Sequence, residues 1–389
     1  MLFLDPGFAL PSVGSATADL RPEVRAFIAE EIRTGGFVPQ VNSWTKGLSG
    51  DFSRRLGERG WIGYHWPTAY GGRGGSALDT LTINEELLAA GAPVGAHWIA
   101  ARQSAPLLMR FGSEAQRREF LPRIASGTTY FAIGMSEPNV GSDLASVRSR
   151  VERAGDGWVL DGRKVWTSGA HIAHYAIVLC RTAPPDPKAR HAGLSQFIVD
   201  LKAPGVTIRP IRMLDGSHHF NEVTFDRVAL PAERLVGQAG EGWKQVTSEL
   251  AYERSGPERF LTTMPVVERC IRLVLEAGPS TGDMAAGRLL ARLLTLRNIE
   301  PGHLGRARSG WVAGDRGGHG EGPRHQLRAR LARDRARDAR RRRAAGRRRH
   351  AGRVAGRRVP ARTHLQPARR HERSAAQHDR QAPAGRMSR

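Results

Sequence analysis

Ile133-Gly134-Met135-Ser136-Glu137-Pro138-Asn139-Val140-Gly141-Ser142-Asp143 and, further along the chain, Lys164-Val165-Trp166-Thr167-Ser168 are the stretches whose reading decides the fold. The first leaves the run Thr129-Tyr130-Phe131-Ala132-Ile133, which has the β-branched and aromatic composition of a strand. It then gathers Ser, Glu, Pro, Asn, Gly, Ser and Asp into a polar turn. Gly141 allows close backbone approach to a ligand, and Ser136 and Ser142 offer hydroxyls and amides. The second follows Gly157-Trp158-Val159-Leu160-Asp161-Gly162-Arg163, read as a hairpin with Asp161-Gly162 at its turn, and ends on an aromatic beside two hydroxyls.

In this order and spacing the two segments resemble the acyl-CoA dehydrogenase family, over a region from about Asp19 to about Ile299. The resemblance implies an α+β fold: an N-terminal helical domain (1–125), a middle antiparallel β-domain (126–237) and an incomplete C-terminal helical bundle (238–300); composition adds a basic tail (301–389) expected to be disordered. It also implies an FAD cofactor. Ile133, Gly134, Met135, Ser136 and Ser142 would contact FAD, with Ser142 near the acyl-CoA as well. Trp166 would pack on the isoalloxazine, with Thr167 and Ser168 near its N5 edge.

Outward from these segments, hydrophobic period divides the chain. Helices are predicted at Asp19–Arg33 with Asp19 as N-cap, Asp51–Glu58, Leu78–Ala90 with Glu85-Glu86 on the polar side, Val94–Phe111 and Ser113–Ile124. Ser113 followed three residues later by Gln116 is a capping-box pattern. The aromatic loop from Gly60-Trp61 to Gly71-Gly72 resembles a family segment and reads as a structural connection. His97 reads as a satisfied core or pocket-lining residue. From Thr129 the period becomes two, with strands predicted at 129–135, 147–153, 157–161, 174–182, 194–200, 205–209 and 220–226. Helical spacing returns at Gly242–Glu253, Glu258–Leu275 and Ala285–Ile299.

The net charge of +23 over 389 residues would ordinarily point to a nucleic-acid partner. From residue 301 onward, however, 26 arginines face six acids with no lysine, so the body before it is nearly neutral. Nucleic acid would then bind only non-specifically through the tail, though a nucleic-acid-binding protein is the alternative from another class. Cys180 and Cys270 are expected to be buried thiols, with no metal site and a reducing cytoplasm. No apolar run is long enough to span a bilayer.

The tail lacks periodicity, and a frameshift near codon 300 is the expected account of it. Codons chosen for His364–Pro383 and read one base later give Thr-Phe-Asn-Leu-Arg-Gly-Gly-Thr-Asn-Glu-Val-Leu-Arg-Ser-Met-Ile-Ala-Lys-Arg-Leu, which resembles the family's C-terminal ending.

The reaction that the resemblance implies is α,β-dehydrogenation of an acyl-CoA in fatty acid metabolism, with electron-transfer flavoprotein or a similar acceptor as partner. The weakly acidic α-proton needs a carboxylate base in a dry site. Family members place that Glu either before the C-terminal Gly-Thr or on the helix after the β-domain. The restored reading has Gly at the first place, which leaves Glu253 as the candidate catalytic base, with Tyr252 and Arg254 beside it for substrate. Without most of the bundle, which would also build a homo- or hetero-oligomer, the chain is expected to hold FAD weakly. A non-catalytic subunit, an oxidase and a monooxygenase are alternatives on the same fold.

Overall fold

The structure, a computed structural model, describes residues 20–253, 256–277 and 284–297. The N-terminal arm, Arg254, and residues 301–389 with their expected disorder lie outside the described residues.

Among the described residues, seven α-helical segments precede the sheet: α1 (Arg21–Arg33), α2 (Ser43–Lys46), α3 (Gly50–Glu58), α4 (Ala77–Ala89), α5 (Gly95–Ile99), α6 (Ala105–Phe111) and α7 (Glu114–Ala125). α1 carries Pro22 in its first turn and buries Val24, Phe27 and Ile28; Leu20, without a side-chain bond, is its N-cap, and Asp19 lies outside the described residues. α5 and α6 continue through a π turn at Ala100–Ser104, so Val94–Phe111 is nearly one helix. Pro106 cannot donate the bond that would close the preceding turn, and the wider π register sits just before it. α7 has the capping box read from the sequence. Ser113 Oγ accepts from the Gln116 amide, and Gln116 Oε1 accepts from the Ser113 amide at 3.0 Å. The Gln116 side-chain Nε2 also donates to the Glu233 and Leu235 carbonyls, tying α7 to the exit from the sheet.

Trp61 and Trp66 are buried, so the aromatic loop anchors the helical core. Gly72 is required there, because a Cβ would come within 2.1 Å of the Trp66 carbonyl oxygen.

One expectation fails in α4. Glu85 and Glu86 are not on a solvated side but almost wholly buried, at 1% and 3% exposure. Arg21 reaches both, Arg25 Nε meets Glu86 at 2.8 Å, and Arg297 meets Glu85 at 2.8 and 3.0 Å. The cations come from α1 and from a helix that follows the sheet, which helical periodicity within α4 cannot reveal.

The sheet has seven strands: β1 (Phe131–Gly134), β2 (Arg150–Ala154), β3 (Gly157–Lys164), β4 (Tyr175–Arg181), β5 (Leu194–Asp200), β6 (Val206–Arg212) and β7 (His218–Leu230). The order is β1-β4-β2-β3-β7-β6, with β5 on the other edge of β4. The hairpin pairings are antiparallel, but β1 runs parallel to β4, and β2 touches β4 in parallel at Arg150–Arg181. The chain between β1 and β4 contains the β2–β3 hairpin, so β1 and β2 share one edge of β4. β4 is buried on both faces. Ile177 faces the helical core with Phe131 and Ile198, while Ala176, Val178 and Cys180 face a second core with Trp158, Phe197 and Phe225. That two-sided burial explains its unbroken apolar sequence.

The β2–β3 turn falls on Gly155-Asp156, not on Asp161-Gly162. Asp161-Gly162 instead forms an irregularity within β3, where the Asp161 carboxylate accepts from the Arg227 amide at 3.0 Å. A Cβ at Gly162 would meet Ser149 Oγ at 2.3 Å, so the glycine serves close packing. The composition signal was real but marked a bulge.

After the sheet come α8 (Gly242–Glu253), α9 (Glu258–Leu261), α10 (Met264–Glu276) and a further helix, α11, over 284–297. The single helix expected over Glu258–Leu275 breaks at Thr262–Thr263, just before Pro265. Cys270 is exposed on α10, against expectation, whereas Cys180 is buried and its thiol is pushed up to about 12 by burial.

Candidate functional site: two loops and an exposed tryptophan

The end of β1 and the end of β3 meet. The Val165 amide donates to the Ser136 carbonyl at 2.9 Å. One residue earlier, Lys164 is fully buried and donates to the Met135 carbonyl at 3.1 Å and to Glu137 Oε1 at 2.8 Å. Gly134 makes room for this crossing, since a Cβ there would press to 3.2 Å from Lys164 Cγ.

Glu137 is the knot of the first loop. Its carboxylate accepts from Lys164, from the Arg148 and Ser149 amides at 2.7 and 2.8 Å, and from Ser149 Oγ at 2.7 Å. Burial pushes the Glu137 carboxyl up, but Lys164 and Ser149 together outweigh it and hold it below its ordinary value. Burial pulls Lys164 down, with Glu137 opposing. Sequence reading missed both residues as a pair: each stood inside a quoted segment, but nothing in spacing showed that their charges meet.

Trp166 follows directly on the buried Lys164-Val165 step. Its backbone is left-handed, with φ +60°, and its side chain is 56% exposed, touching Phe220 edge-on at 5.7 Å between ring centres. The left-handed region costs a bulky L-residue on the order of 1–2 kcal/mol. Hydrogen bonds on either side hold it: Val165 to Ser136, and the Thr167 amide to the Asn221 carbonyl at 3.0 Å. A large aromatic held out of the core in a strained backbone is the kind of outlier that marks a binding surface. Thr167 is buried, and its Oγ1 has no hydrogen-bond partner among the described residues. Such an orphaned hydroxyl at the foot of an exposed aromatic suits a polar, planar ligand. These features fit a flavin.

Of the sequence-predicted contacts, Ser136 meets Val165, next to Trp166, through one backbone hydrogen bond, and Met135 meets Lys164; Ile133 and Gly134 lie on β1, paired with β4, and Thr167 and Ser168 follow Trp166 in the chain. Ser142 stands on the exposed part of the first loop, beside Asp143, which Arg190 and Ser146 Oγ hold. Gly141 has open space in place of a Cβ, so packing within the protein does not require it. Glu253 and Tyr252 lie in the last turn of α8, but their side chains, with Arg254, lie outside what is described. That helix is set by Gln245, which donates to the Val236 carbonyl, and by Gln196 of β5, which donates to Glu249 at 3.1 Å.

A cleft of about 620 Å³ opens beside this loop, between Ala145–Val151 and the proline-rich segment 183–190. Arg148, Arg150, Arg181 and Arg190 line it against Glu152 and Asp186, which leaves an excess of positive charge. Arg181 is largely buried and donates to the carbonyls of Ala145, Val147, Arg190 and Ala192, locking the two walls together.

Helices ahead of a mainly antiparallel sheet, with two loops joined at its edge, define an α+β architecture. Comparison with known proteins narrows this. Residues 15–128 match the family model for the acyl-CoA dehydrogenase N-terminal domain, and residues 132–228 match that for the acyl-CoA dehydrogenase middle domain. The chain belongs to the acyl-CoA dehydrogenase family. It is 34% identical over 282 residues to acyl-CoA dehydrogenase FadE26 of Mycobacterium tuberculosis, covering 70% of this chain and 68% of that protein. It is 39% identical over 248 residues to acyl-CoA dehydrogenase IpdE1 of the same organism, covering 61% of this chain and 62% of that one. The chain thus spans less than two thirds of the length of IpdE1. Among solved structures it resembles the Tcur3481-Tcur3483 steroid ACAD, at 30% identity and TM-score 0.62, over 74% of this chain and 77% of that one. It also resembles the ChsE4-ChsE5 complex of Mycobacterium tuberculosis, at 31% identity and TM-score 0.61, over 75% and 77%.

Proposed function

We propose that this chain is an FAD-dependent acyl-CoA dehydrogenase, acting on the CH–CH group of an acyl-CoA thioester and passing electrons to an electron-transfer flavoprotein or similar acceptor. The observation that carries this reading is the Val165–Ser136 hydrogen bond, which makes one shelf of two loops under an exposed, left-handed Trp166. Bound there, the flavin would supply the hydride-accepting chemistry. The chain's own part would be to hold it: the Ile133–Ser136 backbone along one side, Trp166 against the ring, Thr167 and Ser168 at its polar edge. Ser142 and the arginine-lined cleft beside it suit the phosphates of CoA. Glu253 is the proposed base for the α-proton, with Tyr252 and Arg254 in substrate binding.

The domain division at 125, 237 and 300, the cytoplasmic location and the frameshift near codon 300 belong to the same proposal. Sequencing the gene past codon 295 tests the last of these, since unbroken codons in the present frame would remove it. In the frame-restored protein, anaerobic mixing with an acyl-CoA should bleach the flavin, and Glu253→Gln should abolish that bleaching. Full activity of Glu253→Gln would reject Glu253 as base.

A heteromeric assembly is the second reading, favoured by the two-component composition in the descriptions of both similar structures. One of them is described as a steroid ACAD, so a steroid acyl-CoA is the first substrate to try.

A further inference from the structure

We propose that Asn221 is a positioning residue for the Trp166 loop, and that it holds that loop through Thr167 only while His171 is neutral. The inference rests on reading the loop as the flavin shelf.

Asn221 lies on β7 and is fully buried. Its Nδ2 stands 3.0 Å from the Thr167 carbonyl, and its own carbonyl accepts the Thr167 amide at 3.0 Å. One residue therefore holds the peptide groups on both sides of Thr167, directly after the strained Trp166. A carbonyl can only accept, so the atom facing Thr167 must be the amide NH2 and not the oxygen. That fixes the rest of the network. The second N–H of Nδ2 points to His171 Nδ1 at 3.1 Å, which must therefore carry a lone pair. Oδ1 accepts from His218 Nε2 at 2.8 Å. The His171 and His218 rings stack, with centres 4.1 Å apart.

Protonating His171 turns Nδ1 into a donor facing a donor and sets a cation against the His218 ring. Asn221 cannot answer by flipping, because its oxygen would then face the Thr167 carbonyl. The groups facing His171 from β7 are His218 and His219; His219 in turn faces Lys46 and Asp215, which pair with each other. Burial, then His218, lower the His171 pKa, so His171 is neutral at pH 7 and the network is intact. The sign follows. Protons bind the unfolded chain more readily below about pH 6.5, so the fold is penalised on acidification, and the Asn221–His171 bond is lost as pH falls through the lowered value.

Hydrogen exchange of the peptide covering 163–172, in the full chain without FAD and corrected for intrinsic rates, tests this. The wild type should lose protection between pH 7.5 and an acid pH low enough to protonate His171. Asn221→Ala, which keeps the backbone carbonyl that accepts the Thr167 amide but loses Nδ2, should show at both the reduced protection that wild type has in acid. His171→Gln, whose side-chain oxygen accepts without titrating, should stay protected at both. Protection of this peptide in Asn221→Ala equal to wild type at pH 7.5, or the same acid loss in His171→Gln as in wild type, would overturn the proposal. FAD titration of the same samples separates the two readings. Exchange shifts without any FAD binding would leave the positioning role standing and remove the flavin assignment. FAD binding without exchange shifts would do the reverse.

Discussion

Val165 donates its amide to the Ser136 carbonyl at 2.9 Å, and that single contact joins the loop after β1 to the loop after β3. Because Lys164 is buried immediately before it and Trp166 is exposed immediately after it, the chain passes from core to surface within two residues. The buried side is an ion pair, Lys164 with Glu137 at 2.8 Å; the exposed side is an aromatic platform.

Removing one partner of that pair leaves an uncompensated buried charge. Lys164→Met should destabilise the protein by about 3–5 kcal/mol, read from urea unfolding. The double variant Lys164→Met with Glu137→Gln should recover part of the loss. Glu137 is held below its ordinary value, so the stability it contributes is present above about pH 4.5 and is lost as pH falls through its lowered value.

His97 gives a second acid signature. It is buried, bonded through Nδ1 to Ser53 Oγ at 2.8 Å, and burial lowers its pKa to about 3. The unfolded state takes up the proton first, so stability should decline from about pH 6.5 down to about pH 3, by roughly 1.4 kcal/mol per pH unit. His97→Phe should flatten that slope in urea midpoints measured across the range, while Ser53 keeps its bond to the Ser49 carbonyl.

The thiols should separate cleanly. Cys270 is exposed and Cys180 is buried with a raised pKa, so a thiol reagent should titrate one group in the native protein and both after denaturation. Two fast-reacting thiols in the native state would contradict the placement of Cys180 in β4.

Ser113→Ala should cost about 1 kcal/mol through the lost cap of α7. Gln116→Ala should cost more, because Gln116 also carries the bonds to the Glu233 and Leu235 carbonyls. Thermal unfolding of the two variants side by side checks the order.

Local signals in the sequence carried far. The alternation around Trp158 and Phe225, the apolar run of β4 and the Ser113–Gln116 cap are properties of neighbouring residues, and each was legible. What escaped depends on partners distant in sequence. Glu85 looked solvated because Arg297, which buries it, lies more than two hundred residues away. Asp161-Gly162 looked like a turn because its role as a bulge depends on Arg227 of β7. The parallel β1–β4 pairing depends on a hairpin being inserted between two strands, which composition does not record. In the candidate site, Trp166 and the serines were visible as residue types, whereas the Lys164–Glu137 pair and the Asn221 clamp beneath them were not.

The most direct test of the central claim, that the loops at Ser136 and Trp166 form one flavin shelf, is an equilibrium titration of the full chain with FAD. It should be followed by flavin fluorescence, in wild type, Trp166→Ala and Thr167→Val. The account predicts saturable 1:1 binding, too weak to survive purification, that falls at least tenfold in both variants. Absence of saturable binding, or binding unchanged in both variants, would contradict it.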